Sequence, residues 1–104
     1  MTARIILTAS ASADQASILN DLHAKAGLRT VIKFRSLFAA LYDRLADYPA
    51  SGAPRPALGP NIRIGIVSPY IAIYAHSESD NTVMILRVIH GRREITSELL
   101  PGPH

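Results

Sequence analysis

The stretch that most constrains this chain is Asn61 to Arg93, NIRIGIVSPYIAIYAHSESDNTVMILRVIHGRR. Three β-type segments follow one another here with only short turns between them. Strands joined this closely pair antiparallel, because a parallel pair needs a long crossover. The first segment, Asn61 to Val67, alternates: Ile62, Ile64 and Ile66 share one face, Arg63, Gly65 and Val67 the other. If the isoleucines pack on helices, Arg63 lies on an exposed sheet face. Ser68-Pro69 makes the turn. The second segment, Tyr70 to His76, sets Ile71, Ile73 and Ala75 on one face against Tyr70, Ala72, Tyr74 and His76 on the other. Ser77 to Asn81 is a polar hairpin loop. The third, Thr82 to His90, is apolar on both faces, as an interior strand requires, with Arg87 as its one interior charge.

Upstream, the pattern changes from period two to the helical period. Ala3 to Thr8 is a short apolar run suited to a strand. Ser12-Ala-Asp-Gln15 has capping-box spacing and predicts a helix start. Ile18, Leu19, Leu22 and Ala26 form its apolar face, and Gly27 fits the position just past its end. Thr30 is placed to cap a second helix. Val31, Phe34, Phe38, Leu41, Leu45 and Tyr48 recur at steps of three and four, and Pro49 stops the pattern. Two helices joined by about three residues form an antiparallel αα-hairpin. Ala50 to Pro60, ASGAPRPALGP, holds three prolines and two glycines and predicts a linker between layers. The order β-α-α-β-β-β predicts an α+β fold: a helical hairpin packed on a mainly antiparallel four-stranded sheet, the first strand beside the last. At 104 residues the chain is expected to form one domain, residues 1–104, with a last helical turn in Glu94 to Leu100 and a frayed tail at 101–104.

Composition narrows the chemistry. Apolar residues make up 48% of the chain, too many for a disordered polymer. No apolar run approaches a membrane span, and Ile5 to Leu7 is too brief for a signal-peptide core, so a cytoplasmic protein is expected. There is no cysteine, and the four histidines are scattered, so neither a metal nor another cofactor is expected. The net charge of +3 points to an acidic partner, nucleic acid or protein. There is no hydrolytic Ser elbow, no P-loop, no dinucleotide glycine motif and no evident carboxylate pair.

Arg87 must reach solvent, a carboxylate or an anionic ligand, because an unpaired buried charge is costly. It is either a target contact or half of an ion pair with Glu78, Asp80 or Glu94. Arg63, Arg92 and Arg93 form a candidate basic patch, with Arg55 a solvated arginine nearby. His90 is a candidate general acid or base, or a strand-end packing residue. Tyr70 and Tyr74 share a face and suit either stacking on a partner or packing.

Several pieces fall in one order and spacing: Leu45-x-x-x-Pro49-x-x-Gly52, Arg63-x-Gly65, Tyr70-x-x-x-Tyr74 and Ile85-Leu-Arg-Val-Ile-His-Gly-Arg-Arg93. With these, the chain resembles the RelE/ParE superfamily, the toxin half of bacterial type II toxin–antitoxin pairs, from Arg4 to about Leu99. RelE-like members cut messenger RNA in the ribosome with a cluster of lysines and arginines plus a Tyr or His after the last strand. ParE-like members poison DNA gyrase and lack much of that cluster. No lysine follows Lys33 here and no tyrosine follows Arg93, so the likeness is closer to ParE. The resemblance implies a non-enzymatic gyrase inhibitor, with Arg63, Arg87, Arg92, Arg93 and Tyr74 as target contacts. It also implies an acidic, ParD-like antitoxin that folds on binding against Val31, Phe34, Phe38 and Tyr42, in a hetero-oligomer. The alternative it implies is a ribosome-dependent ribonuclease using Arg63, Arg87 and His90. A third reading is a non-toxic interaction module.

Overall fold

The computed structural model describes residues 2–93 and 96–101. In chain order the elements are β1 (Arg4–Leu7), α1 (Ala9–Ala26), α2 (Leu28–Asp47), β2 (Ala53–Pro54), β3 (Ile62–Val67), β4 (Tyr70–Ser77) and β5 (Thr82–His90). Two 3-10 turns, Pro56–Leu58 and Ser97–Leu99, complete the set. The fold is α+β, but the sheet has five strands rather than four, in the order β1-β5-β4-β3-β2. The extra strand is β2, two residues inside the segment expected to be irregular, paired antiparallel with β3. β1 lies beside β5, as expected, and parallel to it. The two helices between them provide the crossover that a parallel pair requires.

Both helix starts differ from the sequence expectation. Thr8, not Ser12, caps α1: its Oγ1 accepts from the Ala11 N–H at 3.0 Å and donates to the Leu86 carbonyl at 2.9 Å. Thr8 thereby joins the helix start to β5, a tertiary contact that local spacing does not encode. Gln15 accepts instead from the Tyr42 hydroxyl, which ties α1 to α2. The two helices are separated by Gly27 alone, so α2 begins at Leu28 and Thr30 lies inside it. Gly27 has φ +85°, a left-handed value at which glycine is unstrained, and its N–H closes α1 onto the His23 carbonyl. Pro49 stops α2 as expected, the helix ending at Asp47.

The sheet buries both faces. On the helix side, Phe38, Leu41 and Leu45 of α2 and Ala11 of α1 pack against Val67, Ala72, Tyr74, Val83, Ile85 and Val88. On the other side, Ile62, Ile64, Ile73, Leu86 and Ile89 lie under Leu58 of the first 3-10 turn and Leu99 and Leu100 at the second. The isoleucines of β3 therefore face away from the helices. Arg63 shares the helix side with Gly65 and Val67, the reverse of the expected arrangement. Gly65 shows why: a Cβ there would meet the Leu41 side chain at 2.8 Å, so α2 rests on the bare backbone. β5 contains a bulge, since Ile73 pairs with Arg87 but Tyr74 with Ile85, leaving Leu86 unmatched. The extra residue lets Ile85 and Val88, three positions apart, both reach the helix side.

Of the C-terminal helical turn expected over Glu94 to Leu100, the 3-10 turn Ser97–Leu99 is present. Residues 94–95 and the tail beyond 101 lie outside the described residues. Among the described residues no helix is long and apolar enough to cross a membrane.

Candidate functional site at the end of the last strand

β5 carries its terminal residues past the end of its neighbour β1, which stops opposite Ile85. His90, Arg92 and Arg93 are all exposed there. A tight turn holds them: the Gly91 N–H donates to the Pro69 carbonyl at 2.8 Å, and the Arg93 N–H to the His90 carbonyl at 3.0 Å. The Arg92 N–H donates to His90 Nδ1 at 3.1 Å. Nδ1 is thus an acceptor, the proton of the neutral ring sits on Nε2, and Nε2 is the nitrogen left for a partner. The His90 ring meets Tyr70 edge-on at 5.8 Å, and Tyr70 rests in turn on Phe34 at 5.6 Å and Phe38 at 6.1 Å. An aromatic chain from the core therefore fixes the histidine's position. Beside it runs a groove of about 360 Å³ between α1 and β5, lined among others by Asp14, Asp21, Lys25, Tyr70, His90 and Arg93.

Arg87 is not part of this exposed group. Its guanidinium donates to both Asp14 carboxylate oxygens, at 2.6 Å from Nε and 3.0 Å from Nη2. Nη1 donates to the Leu99 carbonyl at 2.8 Å. Both side chains are only 18% exposed. The hydrogen bonds from Arg87 to Asp14 hold the guanidinium above its ordinary range. Asp14 also accepts from the Val88 N–H at 3.0 Å, capping the β5 edge where β1 has ended. The partner is thus neither Glu78 nor Asp80, and Glu94 lies outside the described residues. Asp14 lies 73 residues away in sequence and carries no local mark of this role. An acidic residue on the solvated face of a helix is ordinary, and only the packing of α1 on β5 brings it to Arg87.

Arg63 is likewise engaged within the chain. Its Nη1 donates to the carbonyls of Ala50 at 3.1 Å and Gly52 at 2.8 Å, holding the loop after α2. Tyr74, expected as a target contact, is fully buried. Its hydroxyl donates to the Pro49 carbonyl at 2.7 Å and accepts from the Gly52 N–H at 3.0 Å. Burial raises the Tyr74 pKa above its ordinary value. A side chain with no accessible surface cannot meet a target, so its role is to lock that loop.

Arg63, Arg87 and His90 are not brought together. Arg63 pairs with Tyr74 and His90 with Tyr70, four residues apart along β4, a strand distance of about 13 Å. Among the described residues no group of His, Asp and Glu could hold a metal ion. The helical stripe expected to receive an antitoxin is core. Val31 and Phe38 are buried, and Phe34 and Tyr42 pack partly against the same cluster. The exposed large apolar residues of α2 are Leu28, Ile32 and Leu37, with Tyr48 just beyond its end. A helix's apolar stripe marks the side that is buried and cannot say what buries it.

Residues 5–95 match the family described as the ParE toxin of type II toxin–antitoxin system, parDE. Toxin ParE3 of Caulobacter vibrioides is 27% identical over 96 residues, spanning 92% of this chain and 94% of that protein. A chain of the chromosomal ParDE TA system from P. aeruginosa shares the fold at a TM-score of 0.70 and 21% identity, covering 86% of this chain and 96% of that one. A chain of the toxin–antitoxin complex RelBE2 from Mycobacterium tuberculosis does so at 0.62 and 22%, covering 86% and 99%. Given a helical hairpin on this sheet and a match that runs from β1 to beyond β5, the chain belongs to the ParE toxin family of type II toxin–antitoxin systems.

Proposed function

We propose that this chain arrests bacterial growth by binding DNA gyrase, acts as a binding protein rather than an enzyme, and is neutralised by an acidic ParD-like antitoxin in a hetero-oligomer. Its action would be cytoplasmic. The observation that carries this reading is the dispersal of the cations. Cleaving a phosphodiester without a metal needs donors that converge on the developing charge. Here Arg63 and Arg87 each serve acceptors of their own chain, and about 13 Å of strand separates the Arg63 and His90 positions. The exposed group that is left, His90 with Arg92 and Arg93, suits recognition of an acidic surface.

Inducing the chain alone in a bacterium, with labelled precursors followed into DNA and into protein, tests the reading. DNA synthesis is expected to stop first. Protein synthesis stopping first would favour a RelE-like, ribosome-dependent ribonuclease. One observation supports that second reading: among the described residues nothing hydrogen-bonds His90 Nε2, and the exposed Arg92 and Arg93 follow it in the chain. Under it, His90→Ala abolishes messenger cleavage while growth on uninduced medium is unchanged. Under the gyrase reading, His90→Ala leaves messenger RNA intact just as the parent does.

A further inference from the structure

Three hydrogen bonds hold the turn that ends β5, and only one of them can respond to acid. The Gly91 N–H donates to the Pro69 carbonyl and the Arg93 N–H to the His90 carbonyl. Both acceptors are main-chain oxygens, whose lone pairs no proton takes near neutrality. The third bond runs from the Arg92 N–H to His90 Nδ1 at 3.1 Å. A ring nitrogen accepts only while it carries no proton. Imidazole is the side chain that ordinarily takes one up between about pH 8 and about pH 5.

In an imidazolium both nitrogens donate. Nδ1–H would then face the Arg92 N–H, two donors at a separation that suited a hydrogen bond. Either the ring or the Arg92 peptide has to turn away. The ring is the less free of the two, because it meets Tyr70 edge-on at 5.8 Å and Tyr70 rests on Phe34 and Phe38. Groups of both signs flank it. The adjoining groove is lined from α1 by Asp14, Asp21 and Lys25, from β4 by Tyr70 and from the turn by Arg93. Asp14 is already engaged by Arg87 and the Val88 N–H. Arg92 is exposed, so its peptide has room to move. The main-chain bonds at Gly91 and Arg93 stay in place. Gly91 lies so close under Pro69 that a Cβ would come within 3.1 Å of the carbonyl oxygen. The change is therefore confined to one peptide.

We propose that His90 is a proton-sensitive clasp on this turn. The neutral ring fixes the Arg92 peptide, and with it the direction in which the exposed arginine leaves the strand end. The imidazolium releases that peptide while β5 and its sheet neighbours remain paired. The device belongs to the turn itself and holds for whichever partner the strand end meets. The bond has a counterpart that does not titrate. In an Asx turn the side-chain oxygen of asparagine accepts from the N–H two residues on. Nδ1 of His90 takes that oxygen's place, so His90→Asn keeps the clasp and removes its proton.

Nuclear magnetic resonance of the whole isotopically labelled chain tests the proposal, with ring-nitrogen and backbone amide shifts followed from about pH 8 to about pH 5. At the upper end the ring should be the Nε2–H tautomer, and the Arg92 amide proton should lie downfield, as a bonded donor does. On acidification that proton should move upfield in step with the ring nitrogens, and further than the amide protons of Gly91 and Arg93. In His90→Asn it should stay downfield throughout, and in His90→Ala upfield throughout. The Gly91 amide, bonded to Pro69 in all three chains, reports that the turn is otherwise intact. A neutral ring protonated on Nδ1, an Arg92 amide that moves no further than its neighbours, or one that titrates alike in His90→Asn would each overturn the proposal.

Discussion

Single side chains in this protein show how little a residue's type says about its task until its surroundings are known. Arg87 has the appearance of a surface recognition residue and serves as a brace between α1, β5 and the C-terminal turn. Removing either partner leaves the other's charge half-buried. Arg87→Ala and Asp14→Ala should each lower stability by about 2–3 kcal/mol in urea titrations. Arg87→Lys should recover little of it, because an ammonium cannot bridge two carboxylate oxygens and a carbonyl in one plane. Tyr42 offers a pH handle. Burial pushes its phenol up to about 12 from 10.0. The folded chain thus keeps a proton that the unfolded chain releases. Stability from this source is complete below pH 10 and is lost as pH rises through about 12. Urea midpoints across that interval should fall for the parent and fall less steeply for Tyr42→Phe, whose baseline is lower because Gln15 loses its donor.

Among the elements, the link between α2 and β3 is the most tightly specified. Tyr74 and Arg63 grip it from inside at Pro49, Ala50 and Gly52. Gly52 has no room for a side chain, since a Cβ would fall on the Ile64 carbonyl oxygen and the Tyr74 hydroxyl. Gly65 is also crowded, but by the flexible end of Leu41. Gly52→Ala should therefore cost about 3 kcal/mol and Gly65→Ala about 1 kcal/mol, read as shifts in the denaturation midpoint. Much of the element layout was legible beforehand: the three adjacent strands, the helical hairpin, Gly27 at its corner and Pro49 at its end. The errors came where a distant contact outweighed a local signal. Ser12 and Gln15 make a good capping box, yet Thr8 starts the helix because its hydroxyl also reaches Leu86. β2 leaves no mark in the sequence, because two residues, one of them a proline, show no periodicity.

For the whole molecule the question is which cations remain available once the fold has used what it needs. Arg63 and Arg87 are engaged internally, whereas Arg92 and Arg93 are exposed at the end of β5. Reversing the charge at Arg92 and Arg93 together should abolish growth arrest with the thermal midpoint unchanged within a degree or so, since neither packs against the core. Reversing Arg63 or Arg87 should also abolish it, but by unfolding, which a parallel melting curve would reveal. If the Arg92 and Arg93 double variant remained fully toxic, the end of β5 would not be the target surface.

The sequence by itself determined the class of fold, the number and order of its long elements and the family. These follow from periodicities of two and three-to-four residues and from turn residues that act over a few bonds. The side of the sheet on which each alternating set lies was decided only in three dimensions. So were the partners of the buried cations and the division between bracing arginines and exposed ones. Alternation separates two faces without naming either, and the same arginine is stable against a carboxylate, a row of carbonyls or water. Which of these it meets depends on helix packing that brings Asp14 to Arg87 across 73 residues, a contact no local pattern contains.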